Sequence, residues 1–559
     1  MRDRVLTFFL IFAFTLINVL WLVHGAVLLP SLYFLLVYIG YLTIASIFLL
    51  RSNSWKTSYK LLVLLPTVTI ISSLPYAGVP WDVAHLYPDP NYVEQLVKFY
   101  MSNGRVILGV GTGEASAYSF YPLTETLLLT LCSITNINSC CLLRMWFVIS
   151  STFSFLMLYL TYKQIVRAHT ALIASFIVVT MFRCNFQLVT NPTHPSMAFL
   201  FLIIFLFFFF KSPKNQKSRV ITVIAILIIV IIHNTTALVM LEITAMYFIL
   251  RLVLGIGSRG FTDFDRSLYK SALLLSVLYL SYNLYVAFQY FFEKGVIPAV
   301  LDFLTSVMFK EFSPIKFFSA KYELYVSEST TSLGSAIVKP LFYLGYISIG
   351  LFISLFLFDL LRRLIKKHAF NTDEKTDTIY LFGIATLGSL VINSCFWFAW
   401  RIASDYYYRF FAYTYIFLAV PVTLLIVRLY RVNGKIKWVS VTILAVILAQ
   451  SLILTHPVSL FGADTPLGLE DVRIGLRQAV ITGHYLQNHF DGQYIFGTRY
   501  VFSIIGPRAV IDVFELRSCE ILRRGELNVI SLTETKILEL MLPEEYNILF
   551  STGEFWIVS

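Results

Sequence analysis

The sequence predicts an all-α polytopic membrane protein of about 13 transmembrane helices with a small C-terminal α/β domain, on the basis of three observations. Hydrophobic residues make up 58% of the 559 residues and charged residues only 13%, whereas a soluble domain carries about 25% charge. Apolar stretches long enough to cross a bilayer recur up to residue 455. Beyond that residue, short strand-like runs and helix-like segments follow one another. The composition excludes a soluble globular protein and a disordered one.

Thirteen apolar segments qualify as spanning helices, because about 17 to 25 such residues cross the hydrocarbon core. The first segment is followed closely by a second and by no small-residue cleavage site, so we interpret it as an anchor and not as a signal peptide. The predicted limits are 5–23, 27–50, 61–75, 139–161, 170–189, 194–210, 220–234, 236–250, 271–291, 340–361, 378–398, 408–427 and 438–455.

Basic residues are distributed unevenly between the predicted loops. With the N-terminus in the cytoplasm, the alternate loops on that side contain 24 Lys and Arg, and the longer loops on the other side contain 9 before the C-terminal tail. Cytoplasmic loops of membrane proteins carry such an excess, so the charge pattern predicts this orientation in the cell membrane. An odd number of spans then gives a transmembrane domain, residues 1–455, and an extracytoplasmic α/β domain, residues 456–559. Loops 76–138 and 292–339 are predicted on the same outer side.

The first outer loop contains the richest set of polar candidates. Asp82 stands seven residues beyond Pro75, where a helix leaves the membrane, and a partly desolvated carboxylate there can act as a base. The alternative is an outer-loop aspartate that caps a helix. The end of the loop, YPLTETLLLTLCSITNI, is predicted to form a helix at the membrane interface. Further candidates from this loop to bind substrate are His85, Asp89, Glu94 and Glu114.

Two histidines are predicted at the ends of a tight hairpin made by the sixth and seventh spans. His194 in NPTHP starts the first helix and His233 in HNTT ends the second, so both reach the outer boundary. They could complete a metal site with Asp82 or His85, although no ligand spacing supports it, or they could hydrogen-bond backbone and substrate. A divalent metal therefore stays open, and no other cofactor is predicted. Arg183, near the outer end of the fifth span, is an intramembrane cation expected to face protein or a polar cavity.

A basic aromatic segment, CFWFAWRIASDYYYRFFAY, connects the eleventh and twelfth predicted spans. Arg401, Asp405 and Arg409 recur in it at four-residue spacing, which predicts one shared helix face. Pairing with Asp405 accounts for one arginine and leaves a net positive face at headgroup depth. A guanidinium there matches phosphate oxygens and keeps its charge when desolvated. We therefore expect this face to bind a lipid phosphate, with mutual ion pairing as the alternative.

Several motifs, in their order along the chain, resemble the GT-C superfamily of membrane glycosyltransferases. They are WDVAHL after an early span, YPLTETLLLTLCSITNI at the end of the first loop, THPSMAF and HNTTALVML around the hairpin, and RFFAYTYIFLAVP late in the chain. Thirteen spans with an external domain are also similar to oligosaccharyltransferases and lipid-A aminoarabinose transferases. Two features depart from the superfamily's patterns. Residues 456–559 have no Trp before Trp556, so they lack the WWDYG-like motif of oligosaccharyltransferases, and transfer of a whole glycan to Asn is not expected. Asp82 is followed by Val83, whereas protein mannosyltransferases have adjacent Asp and Glu in the first loop. The acceptor therefore stays open.

The resemblance implies a reaction and its partners. A member of this superfamily would transfer a sugar, with inversion, from a polyprenyl phosphate, dolichyl in archaeal members, to an acceptor hydroxyl at the outer membrane face. Asp82 would act as the base, with Asp89 second, Arg401 or Arg409 would hold the phosphate, and the other candidates would orient sugar and acceptor. The partners would be the lipid-linked donor, a glycan, lipid or protein acceptor and membrane lipids, without nucleic acid. The alternatives are a glycolipid flippase or sugar transporter, which needs polar groups near the bilayer midplane, and a polysaccharide polymerase or ligase.

Overall fold

A computed structural model describes most of the helical region and the strands of the C-terminal tail. The first two predicted spans, apart from residues 43 and 45–51, and the predicted outer loop before residue 333 fall outside the described residues. The described residues are 43, 45–51, 56–73, 88–109, 119–181, 185–211, 215–253, 262–288, 333–365, 374–400, 404–432, 434–449, 495–496, 509–510, 527–531, 548–551 and 555–558.

The helices are numbered in chain order from residue 57, and a six-residue π-helix, Asn185–Thr190, lies between α5 and α6. They are α1 (Thr57–Ser73), α2 (Pro88–Asn103), α3 (Leu123–Thr135), α4 (Ser139–Lys163), α5 (Ala168–Thr180), α6 (His194–Lys211), α7 (Gln216–Ile232), α8 (Asn234–Val253), α9 (Asp263–Tyr285), α10 (Leu333–Ile365), α11 (Glu374–Trp400), α12 (Ser404–Arg431) and α13 (Lys435–Leu448).

Five helical stretches among the described residues are long and apolar enough to cross a membrane, and all five coincide with predicted spans. They are Ser139–Lys163, His194–Lys211, Asn234–Val253, Thr376–Asn393 and Ala412–Arg431. These stretches, with the composition, confirm a multi-pass helical membrane protein. The full number of thirteen spans stays a prediction.

Helix boundaries depart from the predicted spans where a capping motif extends the helix beyond its apolar run. α9 begins at Asp263, well before the predicted residue 271, because Thr262 and Asp265 form a reciprocal capping box. Hydropathy marks the part of a helix that lies in lipid, whereas caps mark where the backbone hydrogen bonds begin. The span predicted from hydropathy therefore starts later than this helix does.

The described helices share a basic end. α4, α6, α8, α10 and α12 each carry Lys or Arg in their last turn, and the next helix in each case starts after a short connection. We call this the basic end of the bundle, and it is the end that the charge pattern predicts in the cytoplasm. The other end, from which α4, α6, α8 and α12 begin, is here called the opposite end.

The predicted fifth span, 170–189, is not one continuous α-helix. α5 stops at Thr180, and Met181 adopts an extended conformation before the π-helix Asn185–Thr190. The buried Asn185 donates from Nδ2 to the Val179 carbonyl at 2.6 Å and to Ser72 Oγ at 2.9 Å. Local π-helices often occur at functional sites, and this one leads directly into the start of α6.

α12 is the central helix of the bundle, since 83% of its apolar stretch within Ala412–Arg431 is buried. It packs against α5, α10, α11 and α13. Close packing of α11 on α10 and α12 depends on Gly383, because a Cβ there would lie 2.8 Å from the Phe356 ring of α10 and 3.2 Å from Leu418 of α12. Small residues at such crossings let helix backbones approach each other in lipid.

Two buried carboxylates are neutralised near the basic end. Asp265 is fully buried, lies 2.6 Å from Arg251 Nη2 and accepts a hydrogen bond from Tyr247 at 2.9 Å. Because buried charges are costly unless paired, these contacts stabilise the α8–α9 connection. The second carboxylate, Asp359 of α10, contacts three side chains from α10, α11 and α12: Arg363, Tyr380 and Arg428.

The tail forms a five-stranded mixed sheet in the order β2-β1-β3-β5-β4. β1 runs parallel to β2 and β3, and β5 runs antiparallel to β3 and β4. Four strands fall within the predicted strand-like runs, whereas β3 was not predicted. The predicted helices of the tail lie outside the described residues, so the α/β domain as a whole stays a prediction. The strands are β1 (Ile495–Phe496), β2 (Ala509–Val510), β3 (Leu527–Ser531), β4 (Ile548–Ser551) and β5 (Phe555–Val558).

Candidate functional site

Two helices of the first loop, α2 and α3, pack on each other and on α4 at the opposite end of the bundle. α3 forms where the sequence predicts an interfacial helix, and it ends at Asn136 in a left-handed conformation (φ 54°), which Asn tolerates. Asn138 then caps α4, because its Oδ1 accepts from the Cys140 N–H at 2.8 Å. These turns hold the end of the first loop in a defined position beside the spans.

Glu125 and His194 form a buried pair that joins α3 to α6. His194 Nε2 lies 3.1 Å from Glu125 Oε1, and the side chains are 4% and 0% exposed. The atoms are within ion-pair distance, yet neither Glu125 oxygen is aligned for a hydrogen bond within the described residues. Beside them, Trp146 Nε1 donates to Ser196 Oγ at 2.6 Å and ties α4 to α6. A buried carboxylate with unused acceptor capacity is costly, which makes Glu125 a candidate acceptor for a water or substrate hydroxyl.

Two buried tyrosines of α2 lie close enough to Glu125 for its charge to act on them. Burial raises the pKa of Tyr100, and the Glu125 charge adds to the effect. The pKa of Tyr92 is also raised, first by burial and then by the charges of Tyr100 and Glu125. Both hydroxyls therefore stay neutral hydrogen-bond donors, and Tyr100 donates to the Ile107 carbonyl at 3.2 Å.

Glu94, a predicted substrate ligand, is buried on α2 and paired within its own helix. Its Oε1 lies 2.6 Å from Lys98 Nζ, and the side chains are 4% and 49% exposed. The Glu94 charge also reaches the Cys132 side chain on α3. Glu94 therefore faces the α2–α3 contact, while Lys98 leaves half of its side chain accessible at the surface.

His233 ends α7 and begins a hydrogen-bonded chain to α12. Its Nδ1 lies 2.7 Å from Thr236 Oγ1 and accepts the Thr236 N–H at 3.2 Å. Thr236 Oγ1 in turn lies 2.7 Å from the Tyr413 hydroxyl. Because Nδ1 accepts a backbone N–H, the ring carries its hydrogen on Nε2. The chain fixes the orientation of His233 and leaves Nε2 as the donor.

A second chain ties the first loop to α8 and α9. Tyr121 donates to Asn283 Oδ1 at 2.8 Å, and Asn283 Nδ2 donates to Asn234 Oδ1 at 3.4 Å. Tyr282 of α9 donates to the Phe120 carbonyl at 2.8 Å. Asn234 immediately follows His233, so both chains end at the α7–α8 junction. The opposite end of the bundle therefore holds a connected set of buried polar groups.

The structure describes three of the ten predicted site residues with their side chains, all at the opposite end: Glu94, His194 and His233. α6 begins at His194 and His233 caps α7, so both histidines lie at the same end of the hairpin, as the sequence predicts. That this end meets the outer membrane boundary stays a prediction. The backbone places Asp89 on α2 and Arg409 on α12. The other predicted site residues lie outside the described residues: Asp82, His85, Glu114, Arg183 and Arg401.

The late basic segment is described in part. α12 begins at Ser404, so Asp405 and Arg409 lie on one helix at the predicted i,i+4 spacing. Arg401 lies outside the described residues. The helix face shared by all three residues therefore stays a prediction.

The described residues contain no group of three or more His, Cys, Asp or Glu side chains that could hold a metal ion. Glu125 and His194 contact each other directly and do not surround a shared position. Asp82 and His85, which would complete a site with the histidines, lie outside the described residues. A divalent metal therefore stays a prediction.

Sequence reasoning missed the residues that connect the site. Glu125 lies in the predicted interfacial helix but was not proposed as a site residue, and Tyr121, Asn283 and Tyr413 were not singled out. Asn283 could have been found from the sequence, because it is an amide within an apolar helix, where polar side chains are rare and usually paired. The partners of these residues are far away in the sequence, so one sequence alone does not reveal them.

No protein-family model matches the chain, and no curated protein matches it. Among solved structures, the chain is similar to the oligosaccharyltransferase AglB from Archaeoglobus fulgidus, in complex with an inhibitory peptide and a dolichol-phosphate. The identity is 14% and the TM-score 0.47, over 90% of this chain and 74% of that one. It is also similar to ArnT from Cupriavidus metallidurans in the apo state, with 10% identity and a TM-score of 0.48 over 90% of this chain and 98% of that one.

With TM-scores below 0.5 and identities of 10% and 14%, these likenesses carry no argument about what this chain binds or does. Its activity has to be inferred from its own residues.

Proposed function

We propose that the protein is a glycosyltransferase that moves a sugar from a polyprenyl phosphate, dolichyl in type, to an acceptor hydroxyl at the outer membrane face, with inversion. The observation that carries the proposal is the buried Glu125–His194 pair beside the His233 chain, at the end of the bundle predicted outside. A lipid-linked sugar keeps its tail in the bilayer and its reacting carbon at headgroup depth. A polar site at the boundary of an apolar bundle suits such a substrate.

In the proposed reaction, the Asp82 carboxylate takes the proton of the acceptor hydroxyl as its oxygen forms a bond to C1 of the sugar. The bond from C1 to the phosphate oxygen breaks, and its electron pair leaves with the polyprenyl phosphate. Arg401 or Arg409 stabilises the charge that develops on that phosphate. General-base help is worth about 10²- to 10⁴-fold, and preorganised positive charge in a water-poor cavity is often worth more.

The described residues would position the substrates. His233 carries its ring hydrogen on Nε2, and no described residue donates an aligned hydrogen bond to the Glu125 carboxylate. Both groups suit the hydroxyls of a sugar. His85, Asp89, Glu94, Glu114 and Arg183 would complete the binding surface for sugar and acceptor. Binding energy from such remote contacts aligns the reacting atoms, which can account for a large share of the rate.

A second candidate, a glycolipid flippase or sugar transporter, is favoured by one observation. Glu242 of α8 is half-buried and accepts a hydrogen bond from Asn393 Nδ2 of α11 at 2.7 Å. It lies eight residues beyond Asn234, or about 12 Å along the helix, which is near the bilayer midplane. Intramembrane carboxylates mark substrate and ion pathways. The transferase has the stronger support, because the larger polar network lies at the boundary.

The two candidates are separated by following the donor. Purified protein in lipid nanodiscs is supplied with dolichyl phosphate carrying a radiolabelled hexose and with a glycan acceptor, and proteoliposomes are tested in parallel for movement of intact donor. We expect labelled sugar in the acceptor with inverted configuration. Asp82→Asn should abolish this transfer. Asp302→Asn, which changes a carboxylate of the second predicted outer loop, is the control and should keep it. Movement of intact donor across the bilayer without cleavage would contradict the transferase and support the flippase.

A further inference from the structure

Three basic side chains lie at the basic end of the bundle, where α5 packs against both α1 and α12. Lys60 of α1 is 3% exposed, and its Nζ lies 3.3 Å from His169 Nδ1 of α5. Lys60 and Arg431 of α12 both act electrostatically on the His169 ring. Within the described part of the chain, no Asp or Glu lies within ion-pair distance of Lys60 or Arg431. The cluster is therefore positive and lacks a described counter-charge.

Among the residues that the structure describes, His169 is the one hydrogen-bond partner of the Lys60 ammonium. An ammonium has three N–H donors, and the contact with His169 Nδ1 uses one of them. Buried charges in proteins are normally paired or hold a ligand. Two donors on a buried ammonium therefore point to an acceptor that the described residues do not supply.

The backbone adds positive potential at the same place. α5 begins at Ala168, and its N-cap Arg167 makes no capping hydrogen bond through its side chain. α1 begins at Thr57, and neither helix has an acidic residue in its first turn. The first N–H groups of a helix are unsatisfied and carry the positive end of its dipole. Lys60 and His169 lie at these two helix starts, where a cation is unfavourable without an anion nearby.

We propose that Lys60, His169, Arg431 and the N-terminus of α5 bind the phosphate of an anionic phospholipid headgroup in the leaflet at the basic end. Phosphate suits a guanidinium, an ammonium and helix N–H groups together. The site lies where apolar helices meet the basic loops, which is the depth of the headgroups. Basic pockets between transmembrane helices on the cytoplasmic side bind such lipids.

The test measures whether anionic lipid stabilises the protein through Lys60. Full-length protein is placed in nanodiscs of phosphatidylcholine with or without phosphatidylglycerol, and its apparent Tm is measured. A ligand that binds only the folded state raises the Tm, so phosphatidylglycerol should raise that of the wild type by several degrees. Lys60→Met should lose this shift, and in phosphatidylcholine alone its Tm should equal or exceed that of the wild type, because an unpaired charge is gone. Lys56→Met, which removes an exposed lysine just before α1, should keep the shift.

Equal Tm shifts in wild type and Lys60→Met would overturn the proposal. If inorganic phosphate in detergent raised the Tm equally, the bound phosphate would not come from a lipid, and the lipid proposal would be overturned. Asp3 and Asp373 lie outside the described residues, so each is tested as a counter-charge of Lys60. If Asp3→Asn or Asp373→Asn loses the Tm shift as Lys60→Met does, Lys60 forms an ordinary ion pair, and the lipid proposal is overturned.

A second readout does not depend on Lys60 variants folding. Native mass spectrometry should find bound phosphatidylglycerol reduced about fivefold in Arg431→Gln and unchanged in Lys435→Gln, which removes an exposed charge at the same end. Equal lipid retention in the two variants would contradict a specific site.

Discussion

Glu125 of the first loop and His194 at the first residue of α6 lie 3.1 Å apart, with both side chains buried. The contact docks a loop helix onto a spanning helix at the end of the bundle where the other polar chains also meet. It therefore links the stability of the first loop to the geometry of the proposed site.

Replacing His194 by Ala should destabilise the protein strongly. The substitution removes the side chain that lies against the buried Glu125 carboxylate, and leaving a buried polar group without its partner costs about 1–3 kcal/mol. The apparent Tm in nanodiscs measures the effect. Thr130→Ala, on the exposed side of α3, serves as control and should change stability by less than about 0.5 kcal/mol. Equal Tm values for the two variants would show that the pair contributes nothing to the fold.

Asp265 and Arg251 should behave as a coupled pair. Asp265→Asn leaves Arg251, whose side chain is only 10% exposed, without its counter-charge and weakens the capping box of α9, so the Tm should fall. Arg251→Met combined with Asp265→Asn should recover part of the loss, because no unpaired charge remains. Additive losses in the double variant would argue against coupling.

Two glycines of α11 should differ in their tolerance of alanine. At Gly383 a Cβ would lie 2.8 Å from the Phe356 ring, which is held within the packed core. At Gly388 it would meet only Met246 Cε, also at 2.8 Å, and a methionine end can move aside. Gly383→Ala should therefore lower the Tm, and Gly388→Ala should change it little. The reverse order in a thermal-shift assay would contradict this packing.

Tyr413→Phe should impair turnover if His233 orients the sugar. The substitution removes the hydroxyl that lies 2.7 Å from Thr236 Oγ1 and frees the chain that holds His233. Loss of one buried hydrogen bond, about 1–1.5 kcal/mol, corresponds to roughly a tenfold fall in kcat/KM. Tyr415→Phe, on the same helix and outside this chain, is the matched control. Equal kinetics in the two variants would remove His233 from substrate positioning.

The orientation of the bundle can be tested by labelling. In a cysteine-free background, Asn136→Cys at the end of α3 should react with an impermeant maleimide in intact cells. Asn215→Cys, at the basic end before α7, should react only after the membrane is opened. Both positions are exposed. Labelling with the opposite sidedness would invert the topology that the positive residues predict.

Much of the helical region could be predicted from the sequence, because hydropathy and basic loops report directly on the bilayer. The hairpin of His194 and His233 follows from helix length alone. The interruption of the fifth span after Thr180 depends on tertiary contacts and local backbone geometry, which hydropathy does not contain. The Glu125–His194 contact was missed for the same reason, since its partners meet only when the loop packs against the bundle.

In the proposed site, the Asp82 carboxylate and the Arg409 guanidinium line one pocket at the outer boundary. An electron cryomicroscopy structure of the protein with dolichyl phosphate bound would show whether they do. We expect the phosphate beside Arg409 or Arg401, with the Asp82 carboxylate about one sugar ring away in the same cavity. An Asp82 closed in an ion pair, or located on a surface unconnected to the phosphate, would contradict it.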